Sequence, residues 1–154
     1  MHVPRLYIDT SVIGGCFDKE FAEWSNLLFD EIIAGKKIAV ISGITTAELN
    51  DAPDFIKNRI DDIPKEYIEL VERTEEINYL SSKYIEFNAI SPKCLEDSLH
   101  IATATINKVE ILVSWNFKHI VNYRRIQLYN SVNLMFGYPE IDIRSPREVI
   151  DEVC

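Results

Sequence analysis

Arg5-Leu6-Tyr7-Ile8-Asp9, running straight into Thr10-Ser11-Val12-Ile13-Gly14, is an apolar strand that stops at a carboxylate and turns. An acid at that point matters because open parallel sheets place their sites at the C-terminal ends of their strands. Two further acids stand in comparable contexts. Glu48 follows a second strand, inside Gly43-Ile44-Thr45-Thr46-Ala47-Glu48-Leu49, and Asp97 lies in the helix-like run Cys94-Leu95-Glu96-Asp97-Ser98-Leu99-His100-Ile101-Ala102. Carboxylates gathered at one sheet edge repel one another unless something positive sits between them. A hard divalent cation with oxygen ligands is the natural counter-charge.

Outward from this strand the pattern alternates strand and helix. Phe21, Trp24, Leu27, Leu28 and Ile32 mark a helix over Phe21 to Ala34, and Gly35 is placed to end it. Lys37-Ile38-Ala39-Val40-Ile41-Ser42 has the continuous apolar character of a strand buried on both faces. A short helix is expected from Thr45, another from Pro53 to Ile63, and one from the Thr74 cap to about Phe87. Tyr67 to Val71 fits strand or helix. Ser91-Pro92 opens a helix to about Ile106. Ile111-Leu112-Val113-Ser114 is a buried strand, helix fills much of Phe117 to Phe136, and Ile141-Asp142-Ile143 is a short edge strand. Ser145-Pro146-Arg147-Glu148 has capping-box spacing. The alternation predicts an α/β fold, a mostly parallel sheet with helices on both faces, in a single domain spanning residues 1–154.

The chain has 154 residues, 47% apolar and 27% charged, which reads as soluble and globular. No apolar run is long enough for a membrane span, and the opening Met1-His2-Val3-Pro4-Arg5 lacks the layout of a secretion signal. The three cysteines Cys16, Cys94 and Cys154 are scattered, with no paired spacing that would suggest a disulfide framework or a zinc motif, so a reducing cytoplasm is expected. The net charge of −9 disfavours a non-specific nucleic-acid binder. Yet no Asp or Glu occurs from Ile111 through Pro139, a stretch that carries Lys118, His119, Arg124 and Arg125 among Trp115, Phe117, Tyr123 and Tyr129.

Each acid has a plainer reading. Asp9 could cap the turn that follows it. Glu48 completes a capping-box pattern with Thr45. Asp97 falls within an apolar helical segment, where a carboxylate needs a partner; His100, one turn on, could be that partner, a structural hydrogen-bonding group or a site residue.

Taken in order, Tyr7-Ile8-Asp9-Thr10-Ser11, Thr46-Ala47-Glu48, Glu96-Asp97-Ser98-Leu99-His100-Ile101-Ala102-Thr103-Ala104 and Leu112-Val113-Ser114-Trp115-Asn116-Phe117-Lys118-His119 resemble the four signature segments of a PIN domain. The chain particularly resembles the small stand-alone prokaryotic PIN proteins that include VapC-type toxins. The resemblance implies a three-layer α/β/α fold with about four to five strands and a Mg²⁺- or Mn²⁺-dependent endoribonuclease. It implies Asp9, Glu48 and Asp97 as metal-site acids. Asn116 takes the place where many members carry a fourth acid, Ser114 that of a small hydroxyl residue, and Ser11 lies beside Asp9. An amide oxygen can bind a hard metal but adds no negative charge, and Asn116 also reads as a helix cap. A homodimer and an antitoxin partner are implied as well.

Lys118, Arg124 and Arg125 are candidates for contacting RNA phosphates, with Trp115 or Tyr123 stacking bases; core packing for Trp115 and a solvated helix face for the arginines are the competing readings. A phosphatase of the haloacid-dehalogenase type would need a second Asp two residues after Asp9, where this chain has Ser11. The remaining alternative is a weakly active or inactive PIN-like module that binds nucleic acid or protein.

Overall fold

Residues 2–151 are described by the computed structural model, so Cys154 lies outside the described residues. Strands β1 (Arg5–Ile8), β2 (Ile38–Ser42), β3 (Ile68–Val71), β4 (Ile111–Val113) and β5 (Asp142–Arg144) form one sheet in the order β3-β2-β1-β4-β5. Every pairing is parallel. Tyr7 stands in register with Val40 on one side and Leu112 on the other, and this row faces one core. Leu6, Ile8, Ala39, Ile41 and Val113 face the opposite core. Both faces of the central strands are therefore buried, which is why their sequences run apolar without alternation.

Helices α5 (Glu75–Glu86), α6 (Leu95–Ile106) and α7 (Tyr123–Met135) cover the Tyr7 face through Ile77, Leu80, Leu99, Ala102, Tyr129 and Val132. The other face is covered by α1 (Thr10–Gly15) and α2 (Ala22–Ile33), through Val12, Ile13, Leu28, Phe29 and Ile32. Each buried Val, Leu, Ile or Phe among these contributes about 1.5–3 kcal/mol. The remaining helices are α3 (Gly43–Leu49), α4 (Asp54–Lys57) and α8 (Pro146–Val149), the last packed on α2 and opened by the Ser145–Glu148 capping box. Among the described residues, no helix is long and apolar enough to cross a membrane. The result is the parallel sheet with helices on both faces that the alternation predicts, arranged in the three α/β/α layers that the resemblance implies.

Several boundaries differ from the reading of the sequence. Thr10–Gly15 is a helical turn capped by Asp9 rather than an open turn. The helix expected over Pro53 to Ile63 is split into α4 and a 3₁₀ segment, where Arg59 reaches over the Phe29 ring to Asn26 and Asp62. The ambiguous Tyr67–Val71 is an edge strand in its last four residues, with Leu70 71% exposed. After β4, Asn116 and Asn122 each spend their side-chain oxygens on backbone N–H groups, and α7 starts only after the second. Gly35 ends α2 at φ +81, and a Cβ there would come within 2.7 Å of the Tyr67 ring, so both backbone angle and space demand glycine.

Candidate active site

β1 lies between β2 and β4, where the order of the sheet reverses, and the residues following these three strands meet at their C-terminal ends. Asp9 follows β1 directly and is 4% exposed. Its Oδ1 accepts from the Ser11 hydroxyl at 2.7 Å and the Val12 N–H at 3.2 Å, and its Oδ2 accepts from the Ser114 hydroxyl at 2.5 Å. It thus caps α1 and also faces the fourth strand. Burial pushes its carboxyl above the ordinary value, against the His100 ring, the two serine hydroxyls and the Val12 amide, which favour the ionised form. Ser11 and Ser114 are locked in turn: Trp115 N donates to Ser11 Oγ at 2.9 Å and Asn116 N to Ser114 Oγ at 2.9 Å.

Glu48 comes from α3. That helix is capped by Ser42, which accepts from Thr45 N, so the Thr45–Glu48 capping box does not form. Glu48 Oε1 instead accepts from Thr10 Oγ1 at 3.0 Å and from His100 Nε2 at 2.5 Å. The other ring nitrogen of His100 lies 2.6 Å from the Tyr7 hydroxyl, which is 2.7 Å from Ser42 Oγ. Glu48, the two ring nitrogens of His100, the Tyr7 hydroxyl and Ser42 Oγ thus form one continuous hydrogen-bonded chain from the rim of the site into the core. Burial alone would raise the Glu48 carboxyl; the hydrogen bond and charge of His100, helped by Thr10, outweigh it and hold it below its ordinary value.

Asp97 is in the first turn of α6 rather than mid-helix, because Pro92–Cys94 form a 3₁₀ turn and the α-helix begins at Leu95. A carboxylate there is favoured by the helix dipole. His100 is not its hydrogen-bonding partner: that ring is taken by Tyr7 and Glu48. Asp97 is half-buried and accepts no hydrogen bond from the described residues. Burial raises its carboxyl, His100 and His119 oppose the rise, and Asp9 and Glu48 add to it, so both other acids act electrostatically on Asp97.

Asn116 Oδ1 accepts from Lys118 N at 3.2 Å and His119 N at 3.0 Å, the cap reading of this residue. Lys118 is exposed on that turn. Arg125 donates to the Ala89 carbonyl at 2.9 Å, and Arg124 lines a groove along α7 with Gln127, Asn130 and Glu140. Trp115 is interior, stacked on Phe21 at 4.2 Å with its indole N–H on Ser25, whereas Tyr123 is 79% exposed. Two neighbours escaped the reading of the sequence. Thr10, which lies in the Asp9 segment but carried no role there, donates to Glu48. Arg73 shares a groove of about 440 Å³ with Glu48, Glu96 and Leu99, and its standing as the one basic residue between Lys65 and Lys83, among Glu72, Glu75 and Glu76, was the available signal.

The oxygens of Asp9, Glu48 and Asp97 suit a hard cation. The set is open: among the described residues, the acids do not converge to within 4.8 Å as a trio. Mg²⁺ keeps several waters and is held by one or two carboxylates, so an open set fits it, with Asp97 and Glu48 Oε2 free of hydrogen bonds from the described residues.

No family model matches the sequence, and no curated protein matches it either. Solved structures do. VapBC2 from Rickettsia felis, bound to a DNA fragment from its promoter, superimposes with a TM-score of 0.58 at 15% identity, covering 92% of this chain and 98% of that one. A toxin–antitoxin complex from Klebsiella pneumoniae gives 0.53 at 17%, covering 74% and 88%. VapC20 from Mycobacterium tuberculosis, a toxin that cleaves the sarcin-ricin loop, gives 0.53 at 11%, covering 74% and 92%. At these identities the likeness is one of fold.

Proposed function

We propose that this chain, whose fold is the VapC-like PIN fold, is a Mg²⁺- or Mn²⁺-dependent endoribonuclease acting on single-stranded or looped RNA. The observation that supports the reading is the placement of Asp9, Glu48 and Asp97 at the C-terminal edge of the sheet, where Asp9 and Glu48 both push the Asp97 carboxyl up. The chemistry a bound divalent ion supplies is charge neutralisation at the phosphate and a more acidic attacking water. Asp9 and Asp97 hold the ion. Asp9 is fixed in orientation by Ser11 and Ser114; Asp97 contributes oxygens engaged by nothing else described. Glu48, steered by Thr10 and His100, orients water or a second ion. Lys118 contacts backbone phosphate, and Arg73 does the same from the groove beside Glu48. A recessed acid such as Asp9 is reached more easily by an unpaired strand than by a duplex.

The same reading makes the protein the toxin of a toxin–antitoxin pair, a homodimer of single-domain chains acting in the cytoplasm. Its antitoxin would block the acidic cleft with a basic side chain. A labelled mixed-sequence RNA incubated with purified protein in Mn²⁺, Mg²⁺ or chelator tests the activity. Cleavage in the metals and none in chelator supports it. A second reading, an inactive PIN-like binding module, is favoured by one observation: Asn116 replaces an acid and spends its oxygen on two backbone N–H groups. RNA and single-stranded DNA left intact by folded, inhibitor-free protein would select it.

A further inference from the structure

Cys94, Asp97 and His119 offer one ligand atom each, and the three atoms lie within 4.8 Å of one another. No other such group of three occurs among the described residues. Cys94 is the N-cap of α6 and Asp97 stands in its first turn, three residues on. His119 arrives from the turn after β4 with its backbone pinned on both sides: its N–H donates to Asn116 Oδ1 at 3.0 Å, and its carbonyl accepts from the buried Tyr129 hydroxyl at 2.6 Å. His100 has a protein partner on each nitrogen, whereas the Nδ1 of His119 is buried with no hydrogen-bond partner and its Nε2 meets only Cys94 Sγ, at 3.6 Å. Ligand distances of about 2.3 Å for Zn–S and about 2.05 Å for Zn–N at a tetrahedral angle put sulfur and nitrogen about 3.6 Å apart. The observed separation is therefore already that of a tetrahedral edge.

We infer that Cys94, Asp97 and His119 form a binding site for a thiophilic divalent cation of the Zn²⁺ type, with one coordination position left open. One thiolate, one imidazole and one carboxylate form a borderline-soft set that prefers Zn²⁺ or Co²⁺ over Mg²⁺. Binding deprotonates the Cys94 thiol and releases that proton to solvent. Asp97 belongs both to this group and to the acidic trio. An ion held here withdraws a carboxylate from the hard-cation site, a consequence that rests on the ribonuclease reading; the site itself does not.

The test is Co²⁺ binding followed by absorption, in a Cys16→Ser/Cys154→Ser background so that Cys94 is the one thiol. A thiolate-to-cobalt charge-transfer band is expected. It should vanish in Cys94→Ser, while His119→Gln should weaken affinity at least about tenfold. Zn²⁺ should displace the band and slow modification of Cys94 by a thiol reagent, whereas Mg²⁺ at the same concentration should do neither. Absence of the band in the folded background protein, or its persistence in Cys94→Ser, overturns the assignment. Both readouts are independent of RNA cleavage, so their failure is separate from failure of the ribonuclease proposal.

Discussion

The imidazole of His100 bridges Tyr7 and Glu48, 2.6 Å from the phenol and 2.5 Å from the carboxylate, although these partners lie 93 and 52 residues away in the chain. It joins the buried centre of β1 to the rim of the acidic site. Replacing it with alanine leaves the Tyr7 hydroxyl short of a partner at zero exposure. His100→Ala should therefore cost about 1–3 kcal/mol in urea unfolding. It should also abolish a pH dependence. Glu48 has its folded carboxyl below the unfolded value, so its contribution is complete above the unfolded value and disappears as pH falls through the folded one. The variant should lack that acid-side loss.

Asp97 behaves in the opposite sense. Its folded carboxyl is raised, so the folded state binds the proton more tightly and stability falls as pH rises from the unfolded value through the folded one. Asp97→Asn removes the charge without stranding a hydrogen-bond donor. The melting temperature should rise at neutral pH by about 1–4 °C, the size left after solvent screening of a half-buried group. The gain should shrink in acid, as thermal scans across pH would show.

Ser114 favours the ionised form of Asp9 through its 2.5 Å hydrogen bond. Ser114→Ala should push the Asp9 carboxyl still higher. The acid limb of the cleavage profile should then move toward higher pH, with activity recovered in alkaline buffer. A uniform loss at every pH would mean that the serine does no more than hold β4 against α1.

Arg125 and Lys118 separate structural from RNA-binding charge. Arg125→Ala loses the bond to the Ala89 carbonyl and should lower stability by about 0.5–1.5 kcal/mol. Lys118→Ala should leave stability unchanged while weakening RNA binding and reducing its salt slope by about 0.7. Denaturation curves and binding isotherms at several salt concentrations distinguish the two.

Sheet, layers and acid positions were legible because period and strand-end context are local. Asp9 after Leu6-Tyr7-Ile8 and Glu48 after the β2 run needed no long-range information. What failed depended on competition between nearby caps or on contacts across the fold. Thr45 looked like the cap for Glu48, but Ser42 takes that role three residues earlier and frees Glu48 for His100 and Thr10. Asp97 looked interior to its helix because the 3₁₀ turn at Pro92–Cys94 leaves no mark beyond the Ser91-Pro92 start. Trp115, by contrast, is the core residue that its packing reading expected, stacked on Phe21. The pairing of Cys94 with His119 spans 25 residues with no motif to announce it.

The most direct measurement sets Asp97→Asn beside the unaltered protein in Mn²⁺-dependent cleavage of single-stranded RNA, with thermal unfolding of both recorded in the same buffer. The account predicts a variant at least as stable as its parent that no longer cleaves. A stable variant that cleaves at the parental rate would contradict the assignment of this acid, and with it the site.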